Sequence, residues 1–314
     1  MFENCIMLPT SGMSREEWLS ERRNGIGGSD AAAIVGLSQY ATAYTVYLDK
    51  LGLLPEKEET EAMRQGRDLE EYVARRFTEQ TGKRVSRVNF MVTNETYPFA
   101  IADIDRRVVG ENAGLECKTT ASISVRHFRD TDFPEEYYAQ CVHYLAVTGA
   151  DRWYLAVLVY GKGFFVFVLE RDDAEISALM SAEAAFWGDH VLLEQPPEVT
   201  GASPDSAALS SIYPDSENET LDISGVNYLF SVINTADQAI REAKQAKESA
   251  VNQIKELMKS AGCATCGPWK AVWKTQQRKT LDVDALREDH PEIDFDAYTR
   301  ITKTRPFLIR AIEK

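Results

Sequence analysis

The chain has 314 residues, 44% of them hydrophobic and 27% charged, with a formal net charge of −14. Those values describe an ordinary globular protein with a sizeable core, organised as one large or two modest domains. They exclude a disordered or fibrous chain, and no run of 18 apolar residues exists to suggest a membrane span. The first 23 residues contain acids and lack an apolar stretch, so no secretory signal is expected. Five scattered cysteines fit a reducing compartment better than a disulfide framework. Together these features predict a soluble, cytoplasmic protein with no membrane partner. The acidity is localised: residues 170–222 hold thirteen acids and one base, Arg171, whereas residues 64–87 hold seven bases against four acids. An acidic total therefore does not exclude a polyanionic partner, because phosphates respond to the local field.

In chain order, Ser14 followed by Glu17 reads as a capping box opening a helix. In Gly25-Ile26-Gly27-Gly28-Ser29-Asp30 the glycines permit a tight backbone, and Ser29 is placed to cap the alanine-rich helix that follows. Residues 62–80 read as a helix with Leu69, Val73 and Phe77 on its core stripe. A strand is expected near 85–92. The run 99–105, closing on Asp105, and the run from Gly114 are expected to form a hairpin across the turn at 110–114. A helix follows over 135–147. Residues 153–160 and 164–169, around Gly161-Lys162-Gly163, give a second hairpin, and an acidic helix spans 172–193. This order predicts an α/β (α+β) fold with a central mixed sheet flanked by helices. Residues 196–222 read as an acidic linker or loop. Beyond it, apolar residues from Leu229 to Leu257 near heptad spacing predict a long helix that packs on another helix. A small mixed segment with a strand-like run at 305–310 ends the chain, so the expected domains are 1–195, 196–222 and 223–314.

The chemistry concentrates in Glu116-Cys117-Lys118. Residues two apart on a strand leave the same face, so an acid and an amine point together while Cys117 points to the opposite face, into the core. Asp105 supplies a second carboxylate, with Asp103 as its alternative. Glu70, or its neighbour Glu71, offers a helix-borne acid, and Gln140 shares a helix face with Tyr137. Carboxylates favour Mg²⁺ or Mn²⁺, and a lysine beside a bound water can orient a nucleophile. Taken singly, each element has a plainer role as a solvated charge or a surface hydrogen-bonding group. The helix entry at Gly27-Gly28-Ser29 can seat an anion on free N–H groups, with Arg22 and Arg23 just upstream, although plain capping would also explain it. None of the four histidines (His127, His143, His190 and His290) stands in a catalytic pattern. Cys263-x-x-Cys266 lacks the partner pair a structural metal needs.

Read in order, Gly-Ile-Gly-Gly-Ser-Asp, Gly-x-x-x-Glu, Asp, Glu-x-Lys and Pro-x-x-Tyr-x-x-Gln resemble the YqaJ-type viral recombinase family. That family is related to lambda exonuclease within the PD-(D/E)XK nucleases. The resemblance covers about residues 15–195. Ala102-Asp103-Ile104-Asp105 departs from it by lacking the Pro-Asp that many relatives carry. The resemblance implies a restriction-endonuclease-like nuclease core in which Glu70, Asp105, Glu116 and the Cys117 carbonyl hold one or two Mg²⁺ or Mn²⁺ ions. Lys118 would orient the attacking water, and Gln140 would support the catalytic set of Asp105, Glu116 and Lys118. Arg22, Arg23 and Ser29 would receive a DNA 5′-phosphate. It further implies an exonuclease of phage recombination, acting 5′ to 3′ on double-stranded DNA ends. The 3′ overhangs would pass to a RecT-like single-strand annealing protein, and the assembly would be a homo-oligomer such as a ring-shaped trimer.

Overall fold

The computed structural model describes residues 5–55, 59–121, 128 and 133–299. The chain divides into two compact units, Met1–Pro214 and Asp215–Lys314. The expected strand-like run at 305–310 and His127 lie outside the described residues.

The first unit carries two sheets. One has five strands, in the order β3 (Val85–Arg87), β6 (Arg106–Val108), β7 (Ala113–Thr120), β8 (Arg152–Val159) and β9 (Gly163–Glu170). The β7–β8 pair is parallel and its other pairs are antiparallel, so the sheet is mixed, as expected. The second sheet has four strands: β1 (Cys5–Pro9), β4 (Phe90–Asn94), β5 (Ala100–Asp103) and the two-residue β2 (Ile26–Gly27).

Two helices cover opposite faces of the five-stranded sheet. Helix α4 (Glu61–Thr81) is capped by Thr60 at its start and by left-handed Gly82 at its end. Its Val73 and Phe77 pack on Leu115, Tyr154 and Ala156. Helix α5 (Glu135–Thr148) buries Cys141, Tyr144 and Leu145 against Trp153 of β8 and Ala102 of β5, so it bridges the two sheets. Helix α6 (Asp173–Phe186) adds Ile176, Leu179 and Met180 to that core and runs on into a single π-helical turn, Trp187–Val191. Helices α1 (Arg15–Arg23), α2 (Gly28–Ile34) and α3 (Ala43–Lys50) complete the N-terminal side.

Four expectations are corrected. The strand near 85–92 is two strands, β3 and β4, lying in different sheets. The hairpin partner of β7 is the short β6, in the register Arg106↔Leu115, whereas the run ending at Asp103 belongs to the other sheet. The chain changes sheets at Ile104-Asp105, which places Asp105 at the junction. Ser29 does not cap α2: Gly27 is the cap residue, and the Asp30 carboxylate reaches back to accept from the Gly27 N–H at 2.9 Å. Within the expected linker, Ser203–Ile212 forms helix α7, which buries Ala208 among Tyr44, Tyr47 and Phe186. Its fully buried Asp205 accepts from the Thr200 N–H (2.6 Å) and hydroxyl (2.7 Å) and from the Thr42 hydroxyl.

The second unit is built on α8 (Asn227–Met258), a continuous helix of 32 residues. A hairpin of β10 (Cys263–Cys266) and β11 (Trp269–Val272) follows, turned by Gly267 at φ 54°, and then the short α9 (Val283–Asp289). Cys263 and Cys266 are both exposed thiols.

Candidate active site

Strand alternation sorts β7 into two faces. Leu115 and Cys117 face α4, while Glu116 and Lys118 face α5. Glu116 is 3% exposed, and its Oε1 receives both Lys118 Nζ at 2.7 Å and Gln140 Nε2 at 2.8 Å. Gln140 is itself fixed by the Tyr144 hydroxyl at 2.8 Å, and that hydroxyl donates to the Asp103 carbonyl at 3.0 Å. The other oxygen of Glu116, Oε2, is buried with no hydrogen-bond partner. Lys118 Nζ also lies 5.7 Å from the centre of the Tyr137 ring.

Asp105 reaches the same place from the sheet junction. Its Oδ2 accepts from the Cys117 N–H at 2.7 Å. β6 pairs with β7 only as far as Leu115, which leaves this edge of β7 open beyond that point. In an extended strand the N–H and C=O of one residue leave on the same side, so the Cys117 carbonyl also faces the Asp105 edge.

The site is electrostatically loaded. Burial raises Asp105 well above the ordinary carboxylate range, the Glu116 and Glu70 carboxylates push it further, and Lys118 and the Cys117 N–H pull against them. Burial also raises Glu116 against the pull of Lys118, with Asp103 and Glu70 adding repulsion. For Lys118 burial disfavours the charge, but Glu116 and then Asp105 outweigh it, so the amine is held as an ammonium. Glu70 thus acts on both acids, whereas Glu71 is turned to the surface, 72% exposed, on Arg87 and Arg106.

Three hard carboxylates around an orphaned buried oxygen suit a small divalent cation. They do not yet share one shell: among the described residues, no three Asp, Glu, His or Cys side chains are arranged to hold an ion. The reason is visible in their partners, because Glu70 is drawn to Arg106, Asp105 is held on the Cys117 amide, and one Glu116 oxygen is occupied by Lys118 and Gln140. The residues fit the group by chemistry, while their placement keeps Glu70 on Arg106.

At the entry of α2, Arg22 donates to the Ser29 hydroxyl at 3.1 Å, stacks on Trp18 at 5.0 Å and stands 4.0 Å from Asp30. Arg22 and Ser29 therefore meet at this entry. Arg23 is not shown there: its Nε is buried without a partner. Asp103 links this corner to the acids, since burial raises it while Arg22 and a hydrogen bond from Trp18 lower it. Sequence reasoning missed Trp18, Arg106 and the Asp30–Lys50 ion pair (2.6 Å) beneath the loop. It also missed the fully buried His143–Glu183 pair at 2.9 Å. His143 is structural, with its second nitrogen 3.0 Å from the Ile101 carbonyl.

Residues 17–151 match the model of the YqaJ-like viral recombinase domain. The chain is 37% identical over 313 residues to the uncharacterized protein YqaJ of Bacillus subtilis, covering 98% of each. The chain belongs to the YqaJ family. Among solved structures, it is similar to an alkaline exonuclease (LHK-Exo) from Laribacter hongkongensis, with 22% identity and a TM-score of 0.47 over 57% of this chain and 94% of that one. It is also similar to a phage-related exonuclease from Haemophilus somnus, with 14% identity and a TM-score of 0.43 over 54% and 96%. Among the described residues no helix is long and apolar enough to cross a membrane.

Proposed function

We propose that this protein is a metal-dependent DNA exonuclease of phage-type recombination. It would hydrolyse linear duplex DNA from the 5′ end and leave a 3′ strand for a single-strand annealing protein. The observation that carries the reading is Glu116: one oxygen is clamped by Lys118 and Gln140, while the other lies buried and unpartnered beside Asp105. Family membership and the resemblance supply the substrate class.

Asp105, Glu116 and the Cys117 carbonyl would hold a Mg²⁺ or Mn²⁺ ion, with Glu70 joining them. Such an ion acidifies its water and offsets charge on the phosphate. Lys118, fixed as an ammonium 2.7 Å from Glu116, orients the attacking water and donates to the phosphoryl oxygen as negative charge builds on it. Gln140 keeps Glu116 in place through its amide and the Tyr144 hydroxyl behind it. Arg22 and Ser29 at the α2 entry receive the terminal 5′-phosphate, with the guanidinium and the Ser29 hydroxyl as donors.

The test uses purified protein with Mg²⁺ on end-labelled linear duplex, alongside a closed circle. Release of 5′ nucleotides from the linear substrate alone is expected, together with loss of activity in Lys118→Ala and Glu116→Gln. Full activity in both variants would remove the proposed site. Cleavage of the circle would make the protein an endonuclease, and binding of ends without hydrolysis would make it an end-binding module.

A further inference from the structure

Arg106 opens β6, yet its side chain turns inward and is only 3% exposed. A guanidinium stays charged at any accessible pH, so its burial requires partners. It has three. Nη1 donates to a Glu70 oxygen and to the Asp105 carbonyl at 2.7 Å, and Nη2 donates to Glu71 at 3.0 Å. Glu71 is a surface counter-ion shared with Arg87. Glu70 differs, because the nitrogen that holds it also donates to the Asp105 carbonyl, which places this carboxylate next to a residue of the site. It stands beside a buried cation at the Asp105 end of the site. If Glu70 swings away, Arg106 still keeps Glu71 and the Asp105 carbonyl, so leaving does not strand a buried charge.

We infer that Arg106 is a positioning residue that holds Glu70 at the rim of the site and competes with a divalent cation for that carboxylate. The inference rests on the metal-dependent reading above. It makes Arg106 the residue that sets how much cation is needed to recruit the last ligand. Removing the guanidinium frees Glu70 and takes one positive charge from beside the cation, and both changes favour cation binding.

The experiment is calorimetric titration of the full-length protein with Ca²⁺, without DNA, for wild type, Arg106→Met and Arg106→Gln. Thermal melting with and without Ca²⁺ accompanies each titration. Both variants should bind Ca²⁺ on the order of tenfold more tightly than wild type, the direction expected for a nearby unit charge in a partly buried site. Both should also gain more melting temperature from Ca²⁺ than wild type does. Arg106→Gln keeps a polar group and serves where the methionine variant fails to fold. Unchanged or weaker Ca²⁺ binding in a folded variant would overturn the competition and leave Arg106 as a mere structural counter-ion. Absence of Ca²⁺, Mg²⁺ and Mn²⁺ binding by wild type would instead overturn the metal-dependent reading, and this inference with it.

Discussion

The Cys117 amide donates to Asp105 Oδ2 across 2.7 Å, tying the junction between two sheets to the strand that carries Glu116 and Lys118. The acid is thereby placed by a backbone group, not by another side chain, and its position survives changes elsewhere in the site. Asp105→Asn retains an acceptor for that N–H and removes a charge that burial and its neighbours disfavour. The variant should melt at or above the wild-type temperature while nuclease activity falls by about 10²-fold or more, the scale of losing one charge-stabilising group. Asp105→Ala leaves the N–H unsatisfied and should lose about 1–3 kcal/mol of stability as well. Paired melting curves and strand-release assays check both, and equal stability of the two variants would contradict the anchoring role.

The raised acids couple cation binding to protons. Asp105 and Glu116 have folded-state pKa values above their ordinary ones. In the metal-free fold they therefore hold protons that the unfolded chain has released. Their contribution destabilises the fold progressively as pH rises from the ordinary carboxylate range through the raised values. A divalent cation competes with those protons and removes the repulsion. The melting-temperature gap between Ca²⁺-loaded and metal-free protein should therefore widen as pH rises above the ordinary carboxylate range. A gap independent of pH would show that these two acids do not hold the ion.

A second pH effect has a different origin. His143 is fully buried, with one ring nitrogen on Glu183 and the other on the Ile101 carbonyl, both acceptors. Burial opposes its charge, but Glu183 and the carbonyl raise its pKa above the usual histidine value. Its stabilisation is thus fully present below about pH 6.5 and is lost as pH rises through the raised folded value. His143→Ala strands Glu183 and should cost about 3–5 kcal/mol at low pH. Urea unfolding across this range should show the wild-type slope flattened in the variant. An unchanged slope would assign the titration to another group.

How far the sequence discloses this site depends on the range of the interactions involved. Glu116 and Lys118 are legible because two-residue alternation is local, and the same rule sends Cys117 to the α4 side. Helix α4 is legible from its stripe of Val73 and Phe77. The hairpin partner of β7 is not, because the change of sheet at Ile104-Asp105 is made by tertiary packing and leaves no glycine or proline break in the run 99–105. Helix α7 hid within polar composition: its buried Asp205 is satisfied by Thr42, which lies 163 residues earlier. Ser29 looked like the cap because it is the conventional residue type, yet Asp30 two positions into α2 does that work from inside the helix. Arg106 gave no local signal, since its partners Glu70 and Glu71 lie a helix away.

The close approach of α2 to α5 gives a test of positioning without touching a charged group. A Cβ added at Gly28 would lie 2.7 Å from Tyr144 Cε1 and 3.0 Å from Gln140 Cγ. Both neighbours are buried, and they form the relay that presents an amide N–H to Glu116. Gly28→Ala must therefore displace the ring and amide that hold the carboxylate, as overpacking does in a filled core, at about 1–3 kcal/mol. Because a misplacement near 1 Å costs on the order of 10²-fold in a positioned reaction, activity should fall far more than stability. Gly114→Ala is the harsher case: its Cβ would stand 2.2 Å from the buried Trp153 ring, which itself packs 5.0 Å from the Tyr144 ring. That variant should lose fold and activity together. Measuring melting temperature and strand-release rate for both separates the cases, and a Gly28→Ala protein with wild-type turnover would show that the Tyr144–Gln140 relay does not position Glu116 for chemistry.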